Sequence, residues 1–324
     1  MTFKVLSTSP TFGHYVSEPS EYLENHGCKV DLFPQGKEIS QEDLIQGVAE
    51  YDAIIVGIEK FTKAVIQASK RLKILAKHGI GVDNIDVDAA SAKGVVVTNA
   101  PGTNSDAVAD LTIGLFLSLA RSIPFADRSV KEGKWPRMVG VQVNGKVLGI
   151  IGLGQIGKKV AKRALGFDMR VLAYDVFKDE AFAKKWGITY VSLDEVLAES
   201  DFISIHVPIS PSTRGLIGER ELNLMKKGAF LVNISRGDII DEEGLCRILK
   251  EKRIGGAALD VFAQEPPTGS PLLDLDNVIA TPHMGGYSFE ALRETGMVCA
   301  QSIIDVFEGK RPEFIVNPEV LNIK

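Results

Sequence analysis

Three polar side chains each follow an apolar run of the sequence, and their types suit proton transfer beside a bound carboxylate. Arg236 follows FLVNIS, Glu265 follows ALDVFAQ and His283 follows NVIATP. An imidazole can take and return a proton near neutral pH, and a neighbouring carboxylate orients it and favours its charged form. A guanidinium can hold a carboxylate through two hydrogen bonds. Taken singly, each of the three is as well explained by a surface or structural role.

A glycine-rich turn supplies a place for the group that would carry electrons. Gly152, Gly154 and Gly157 lie in VLGIIGLGQIG, and Asp175 ends the next apolar run, RVLAYD. The first glycine permits a tight turn, the second lets the backbone approach a pyrophosphate, and the third lets helix and strand pack closely. The helix N-terminus then faces the pyrophosphate with free N–H groups. Asp175 would accept hydrogen bonds from ribose hydroxyls and repel a 2′-phosphate, and no arginine follows it, so NAD is favoured over NADP.

Together the two patterns predict hydride transfer at a carbon that bears a hydroxyl group. Such a reaction needs a base for the hydroxyl proton and a cation for a neighbouring carboxylate, while the nicotinamide carries the electrons. Neither a metal nor a nucleophilic side chain is required. No group of residues has metal-ligand spacing, so the sequence predicts no metal site.

Two series of apolar runs, alternating with helical patterns, must position these residues. The first series comprises FKVLS, KVDLF, AIIVG, KILAK and VVVTN, and the second comprises VLGII, RVLAY, FISIH, FLVNI, AALDV and VIATP. Alternation of this kind predicts an α/β fold with two doubly wound parallel sheets, whose ligands lie beyond the carboxyl ends of the strands. A long apolar helix follows a cap at Asn104 or Ser105, a second spans 287–309, and 310–324 is expected to be surface chain.

Composition excludes several classes of protein. The 324 residues are 45% hydrophobic and 24% charged, with a net charge of −5 and no basic tract, which argues against nucleic acid as a partner. The most apolar helix candidate, LTIGLFLSLA, is too short to span a membrane. Cys28, Cys246 and Cys299 are far apart and odd in number, which suits a reducing cytoplasm. The expected location is therefore cytoplasmic.

The sequence resembles the D-isomer-specific 2-hydroxyacid dehydrogenases, most of all their short phosphoglycerate dehydrogenases. The resemblance runs through nearly the whole chain. It rests on KHGIGVDNID, NAPGTNSDAVAD, GLGQIG with Asp175, HVPISPST, NISRG, ALDVFAQEPP and TPHMGG. It implies a Rossmann NAD-binding domain at 99–285, a flavodoxin-like substrate domain formed by 1–98 and 286–324, and a cleft between them. It also implies that the C-terminal regulatory domain of longer family members is absent.

The resemblance also assigns roles to individual residues. It implies that Arg236 binds the substrate carboxylate and carbonyl oxygen, that His283 is the acid and base, and that Glu265 pairs with His283. Besides the glycines and Asp175, the implied cofactor contacts are Gln155, Ile156, Val207, Pro208, Thr213, Ile234, Ser235, Asp260 and Gly286. The implied substrate contacts, besides Arg236, are Lys60, Gly79, Ile80 and Gly81.

The implied activity is NAD-dependent hydride transfer between a D-2-hydroxy acid and its 2-keto acid. D-3-phosphoglycerate is the favoured substrate, because Lys60 could bind a phosphate. Glyoxylate or hydroxypyruvate reduction is the alternative. A non-enzymatic alternative is an NAD-sensing corepressor, against which the acidic charge and the complete set of Arg236, Glu265 and His283 argue. The family is typically dimeric through the cofactor domain, which makes 101–146 the expected interface of a homodimer.

Overall fold

A computed structural model describes residues 2–33 and 39–322 of the chain. The strands, in chain order, are β1 Phe3–Ser7, β2 Cys28–Leu32, β3 Ala53–Val56, β4 Ile74–Lys77, β5 Val96–Thr98, β6 Val147–Ile151, β7 Arg170–Tyr174, β8 Thr189–Tyr190, β9 Phe202–Ile205, β10 Phe230–Asn233, β11 Gly256–Leu259 and β12 Val278–Ala280. The α-helices are α1 Glu18–Asn25, α2 Gln41–Gly47, α3 Lys63–Ala68, α4 Val87–Ala92, α5 Ser105–Ala120, α6 Ile123–Lys131, α7 Gln155–Leu165, α8 Glu180–Trp186, α9 Leu193–Glu199, α10 Glu219–Leu224, α11 Glu242–Lys250 and α12 Phe289–Phe307.

The chain forms two compact units. One consists of Met1–Asn104 with Gly286–Lys324, and the other of Ser105–Gly285. We refer to them as the discontinuous unit and the central unit. Each contains one sheet in which every strand pair is parallel, which confirms the predicted α/β fold with two doubly wound sheets.

The discontinuous unit has a five-stranded sheet in the order β2-β1-β3-β4-β5. All four residues of β3 are buried, because helices cover both faces of a parallel sheet, and this explains its continuous apolar run. From the far end of the chain, α12 packs against α1 and β4. Its Ala300, Ile303 and Ile304 join a core cluster that includes Val5 of β1. The C-terminal helix is therefore part of the same core as the N-terminal strand.

The expectation that 310–324 is surface chain is wrong for 310–322, and residues 323 and 324 lie outside the described residues. Ile315 forms an antiparallel bridge with Thr98, so the segment covers the edge of β5. Asn317 is 1% exposed; its Oδ1 accepts a hydrogen bond from Val97 N at 2.7 Å, and its Nδ2 donates one to Val95 O at 2.9 Å. An edge strand has unpaired N–H and C=O groups, and this side chain satisfies two of them.

Asn317→Ala should therefore destabilise the discontinuous unit. The substitution leaves buried backbone groups of Val95 and Val97 without partners, and we expect a loss of about 2–4 kcal/mol in the free energy of unfolding. Denaturant titration followed by circular dichroism measures this loss. The control is Asn223→Ala, because the exposed side chain of Asn223 donates its hydrogen bond within its own helix, from Nδ2 to Glu219 O. A loss for Asn317→Ala no larger than for the control would contradict the assignment.

The central unit has a seven-stranded sheet in the order β12-β11-β10-β9-β6-β7-β8. All six strands predicted for this part of the chain form, and the structure adds the two-residue β8, which is too short to produce an apolar pattern. The predicted side-chain cap of α5 does not form: Asn104 Oδ1 and Ser105 Oγ are buried and make no hydrogen bond with any described residue. Among residues 2–33 and 39–322, no single helix is long and apolar enough to cross a membrane; only α5 and α6 taken together, bent by 63°, meet that test.

Candidate active site

The strand order of the central unit places a ligand crevice beside β6. Starting from β6, the chain builds the sheet outward through β7 and β8, then returns to place β9 on the other side of β6. Ligands of open α/β sheets bind at such a reversal, outside the carboxyl ends of the strands. The glycine-rich turn follows β6 at this point. The loops that carry Arg236, Glu265 and His283 follow β10, β11 and β12 at the same edge of the sheet.

The three glycines of the turn differ in what surrounds them. Gly152 has φ +98°, and a Cβ there would lie 2.9 Å from Val207 N. A Cβ at Gly157 would lie 2.2 Å from Gly152 O, so the turn and α7 could not pack. A Cβ at Gly154 would meet no described atom within 4 Å, which leaves the backbone open to a ligand. The turn leads directly into α7, which begins at Gln155. This cradle fits the pyrophosphate of a dinucleotide.

Asp175 connects the end of β7 to the glycine-rich turn. Its Oδ2 accepts a hydrogen bond from Leu153 N at 2.7 Å, and its Oδ1 accepts one from Phe177 N at 2.9 Å. A carboxylate offers about four acceptor positions, so Asp175 retains capacity for ribose hydroxyls. The side chains of Val176 and Phe177 are 75% and 85% exposed. The geometry agrees with an NAD ribose bound at Asp175.

His283 and Glu265 form a direct pair. The distance from His283 Nδ1 to Glu265 Oε2 is 2.8 Å, and Glu265 Oε1 accepts a hydrogen bond from Phe262 N. Burial raises the pKa of Glu265, but the hydrogen bond and charge of His283, the Phe262 N–H and the charge of Arg236 outweigh it. The pKa of this carboxyl therefore lies below its usual value. With Glu265 ionised, Nδ1 is the donor in the pair, which leaves Nε2 to exchange a proton with substrate.

Buried Asp260 holds the loop that carries His283. The side chain is 1% exposed, and its Oδ1 accepts hydrogen bonds from Thr281 Oγ1 at 2.6 Å and Met284 N at 2.9 Å. Its Oδ2 accepts one from Gly285 N at 2.8 Å. His283 itself has φ +51°, a conformation that non-glycine residues adopt when surrounding contacts impose it. The resemblance implied a cofactor contact at Asp260, and the role of its side chain in shaping the histidine loop was not predicted. The sequence could have indicated this role, because the backbone N–H groups of the turn in TPHMGG need hydrogen-bond acceptors.

Arg236 lies in a loop that is held by its neighbours. Asn233 Nδ2 donates a hydrogen bond to Arg236 O at 2.8 Å, and Asn233 Oδ1 accepts one from Ser235 N at 3.1 Å. Arg236 Nη1 donates one to Ser235 O at 2.8 Å. At Gly237 a Cβ would lie 1.9 Å from Phe262 C, so this loop packs directly on the chain that leads to Glu265. Sequence reasoning did not identify Asn233, whose side chain shapes the arginine loop.

The other predicted cofactor residues of the central unit surround the same edge of the sheet. Ser235 Oγ donates a hydrogen bond to Val207 O, which joins the loops after β9 and β10. Thr213 Oγ1 donates one to Pro208 O at 2.6 Å. Burial lowers the pKa of His206 to about 3, so this imidazole is neutral at physiological pH and does not compete with His283 for the proton-transfer role. In the described part of the chain, no group of side chains could hold a metal ion.

Five of the predicted site residues belong to the discontinuous unit. Lys60 is exposed and follows β3, and its carbonyl accepts a hydrogen bond from Gln41 Nε2 at 2.8 Å. Residues 79–81 follow β4, where Ala100 N bonds to Gly79 O and Asn99 Nδ2 bonds to Ile80 O. The fifth, Gly286, has little room for a side chain, because a Cβ would lie 3.0 Å from Asn104 Nδ2.

Comparisons with known proteins agree with this geometry. Residues 113–285 match the family model described as D-isomer specific 2-hydroxyacid dehydrogenase, NAD binding domain. The D-3-phosphoglycerate dehydrogenase of Methanocaldococcus jannaschii is 44% identical over 283 residues, or 86% of this chain and 54% of that protein. The glyoxylate reductase of Korarchaeum cryptofilum is 41% identical over 310 residues, or 93% of each chain. The chain thus spans about half the length of the first relative and nearly all of the second.

A solved structure supports the same fold. The D-lactate dehydrogenase from Aquifex aeolicus, complexed with NAD and lactic acid, superimposes with a TM-score of 0.84 at 29% sequence identity. The match covers 97% of this chain and 99% of that one. Both the fold and the NAD-binding region predicted from the residues therefore occur in characterised proteins.

Proposed function

Because this chain belongs to the D-isomer-specific 2-hydroxyacid dehydrogenases and carries their NAD-binding domain, we propose that it catalyses hydride transfer between NAD and a D-2-hydroxy acid. The observation that carries the proposal is the 2.8 Å pair of His283 and Glu265, with the charge of Arg236 close enough to lower the pKa of Glu265. An acid, a base and a carboxylate-binding cation are the groups that this reaction requires.

Each side chain has a defined task in the proposed reaction. The glycine-rich turn and Asp175 would hold NAD, which would supply the carbon that exchanges the hydride. The guanidinium of Arg236 pairs with the substrate carboxylate and stabilises charge on the reacting oxygen. His283 Nε2 takes the hydroxyl proton during oxidation and returns it during reduction. Glu265 holds the ring through Nδ1 and stabilises the imidazolium that forms.

The two compact units have different proposed binding roles. We propose that 99–285 binds the cofactor and that 1–98 with 286–324 binds the rest of the substrate through residues 79–81 and Lys60. The support is that these residues follow the carboxyl ends of β3 and β4, where parallel sheets bind ligands. We also propose that Gly286 contacts the cofactor.

We further propose a cytoplasmic homodimer that contacts neither nucleic acid nor membrane. Support for self-association comes from 123–141, which presents several exposed apolar side chains: Ile123, Val130, Trp135, Met138, Val139 and Val141. Exposed apolar surface of this kind marks an interface with another protein, and a two-fold dimer is the commonest symmetric assembly.

Two substrate pairs are candidates. The names of several relatives and exposed Lys60 favour D-3-phosphoglycerate and 3-phosphohydroxypyruvate, which would place the enzyme in serine biosynthesis. The relatives named glyoxylate reductase favour glyoxylate or hydroxypyruvate. The two pairs differ in whether the far end of the substrate carries a phosphate.

A screen of NADH oxidation tests the proposed function. We expect turnover with at least one of 3-phosphohydroxypyruvate, hydroxypyruvate, glyoxylate and pyruvate, monitored at the NADH absorbance band. NADPH should support a kcat/KM at least about tenfold lower, because its 2′-phosphate would meet the carboxylate of Asp175. Binding of NADH without oxidation by any of the four acids would instead support an NAD-sensing protein. A preference for NADPH would contradict the role of Asp175.

A further inference from the structure

The discontinuous unit has its own topological reversal, between β1 and β3. Its strand order, β2-β1-β3-β4-β5, predicts a ligand crevice outside the carboxyl ends of these two strands. The loops that follow them are in contact. Gly57 N donates a hydrogen bond to Thr8 Oγ1 at 3.1 Å, and a Cβ at Gly57 would lie 2.9 Å from Ser9 Cα and 2.9 Å from Thr8 O. The two loops therefore form one continuous wall at this point.

The side-chain carboxylate of Glu59 lies against this wall. Its Oε2 would lie 2.9 Å from a Cβ at Gly57. The Oε2 atom is buried, and no residue in the described ranges donates a hydrogen bond to it. The main chain is held firmly, because Glu59 O accepts a hydrogen bond from Asn84 Nδ2 at 2.7 Å. An ionised carboxylate only accepts hydrogen bonds, so the group that satisfies this oxygen must be a donor.

Two neighbouring basic residues, Lys77 and His78, make other contacts. Lys77 Nζ donates hydrogen bonds to Gly57 O at 2.5 Å and to Asn84 Oδ1 at 2.9 Å. These bonds stabilise the main chain of the loop that carries Glu59. His78 Nδ1 lies 3.3 Å from Ser9 Oγ. Burial, helped by the charge of Lys77, lowers the pKa of His78 to about 4. Its ring therefore offers hydrogen-bonding nitrogens at physiological pH but no positive charge for a phosphate.

We propose that Glu59 is a specificity-determining residue, which accepts a hydrogen bond from a hydroxyl at the far end of the substrate and repels a phosphate there. A site built around an acceptor favours ligands that donate to it, and a carboxylate opposes a phosphate dianion by like-charge repulsion. The inference rests on the proposed function and deepens it. It ranks hydroxypyruvate, with its hydroxymethyl group, above 3-phosphohydroxypyruvate.

The variant Glu59→Gln tests this inference with three 2-keto acids. For hydroxypyruvate, kcat/KM should fall about tenfold, mainly through KM, because a charge-assisted hydrogen bond is weakened. For 3-phosphohydroxypyruvate it should rise about tenfold, because the repelling charge is removed. For glyoxylate, which has no substituent at its far end, it should change less than about twofold. The matched control is Glu24→Gln on α1, which removes an exposed charge from the same unit and should change none of the three values.

The variant Glu59→Asp distinguishes the effect of the negative charge from the effect of side-chain length. It keeps the negative charge but shortens the side chain, so we expect it to keep rejecting 3-phosphohydroxypyruvate while losing activity on hydroxypyruvate. Thermal unfolding and the Kd for NADH establish whether each variant is folded. If Glu59→Gln does not fold, Glu59→Asp provides the test. An unchanged preference between the two acids in the folded variants, or a wild-type preference for the phosphorylated acid, would overturn the inference while leaving the proposed function intact. A wild-type protein that reduces none of these three acids and does not reduce pyruvate would contradict the proposed function itself.

Discussion

Replacing His283 with glutamine is expected to lower kcat by about 10³-fold while changing the Kd for NADH by less than about twofold. Glutamine is polar and close to histidine in size, but it cannot take or return a proton, so the loss falls on the chemical step. Stopped-flow kinetics with the best keto acid from the screen, together with NADH fluorescence titration, measure both quantities. The control is His26→Gln, because His26 is exposed and its Nδ1 bonds to Tyr22 O at the end of α1. Normal turnover by His283→Gln would refute the assigned proton carrier.

The pH dependence of the pair follows from Glu265. Its pKa is lowered in the folded protein, so the pair contributes stability above the pKa of an unfolded glutamate and loses it as the pH falls through the lowered value. Glu265 consequently remains ionised throughout the neutral range. The orientation of His283 by Glu265 should thus be preserved at every pH near neutrality, and acid alone should weaken it.

Asp260→Ala is expected to have the second large effect, on both stability and catalysis. The change removes one buried carboxylate that accepts three hydrogen bonds from 281–285. We expect the free energy of unfolding to fall by about 3–5 kcal/mol, since several donors lose their partner. We also expect kcat to fall about 10²-fold, because a histidine held at φ +51° needs those contacts to keep its position. Denaturant titration and steady-state kinetics measure the two losses.

Thr281→Val provides the matched comparison for Asp260→Ala. It removes only the donor Oγ1, whose bond to Asp260 is 2.6 Å long, and leaves the two backbone donors in place. The loss in unfolding free energy should be about 1 kcal/mol, and kcat should change less than about fivefold. Equal effects of the two substitutions, or full activity of Asp260→Ala, would show that the carboxylate does not position the histidine loop.

Much of the architecture was predictable because its signals are local. Apolar runs identified eleven of the twelve strands in the described residues, and the signal is strongest for strands such as β3, because a strand buried on both faces must be apolar throughout. The glycine-rich turn was recognisable because Gly152 and Gly157 have no room for a side chain, so only glycine fits at these two positions. Arg236, Glu265 and His283 were found because each follows a strand at the edge of the sheet where ligands bind.

What the sequence by itself determined, then, is the alternation of strands and helices, the parallel sheets and the types of side chain that end the strands. Only the tertiary structure decided which partners the polar groups have. Asp260 holds a loop more than twenty residues away, Asn317 bonds to the edge of a strand 220 residues earlier in the chain, and Glu59 turns back beside Thr8. Apolar periodicity is set within a few residues, whereas these hydrogen bonds depend on sheet register and turn geometry between distant segments. Residue type can therefore mark a candidate, but the fold assigns its role.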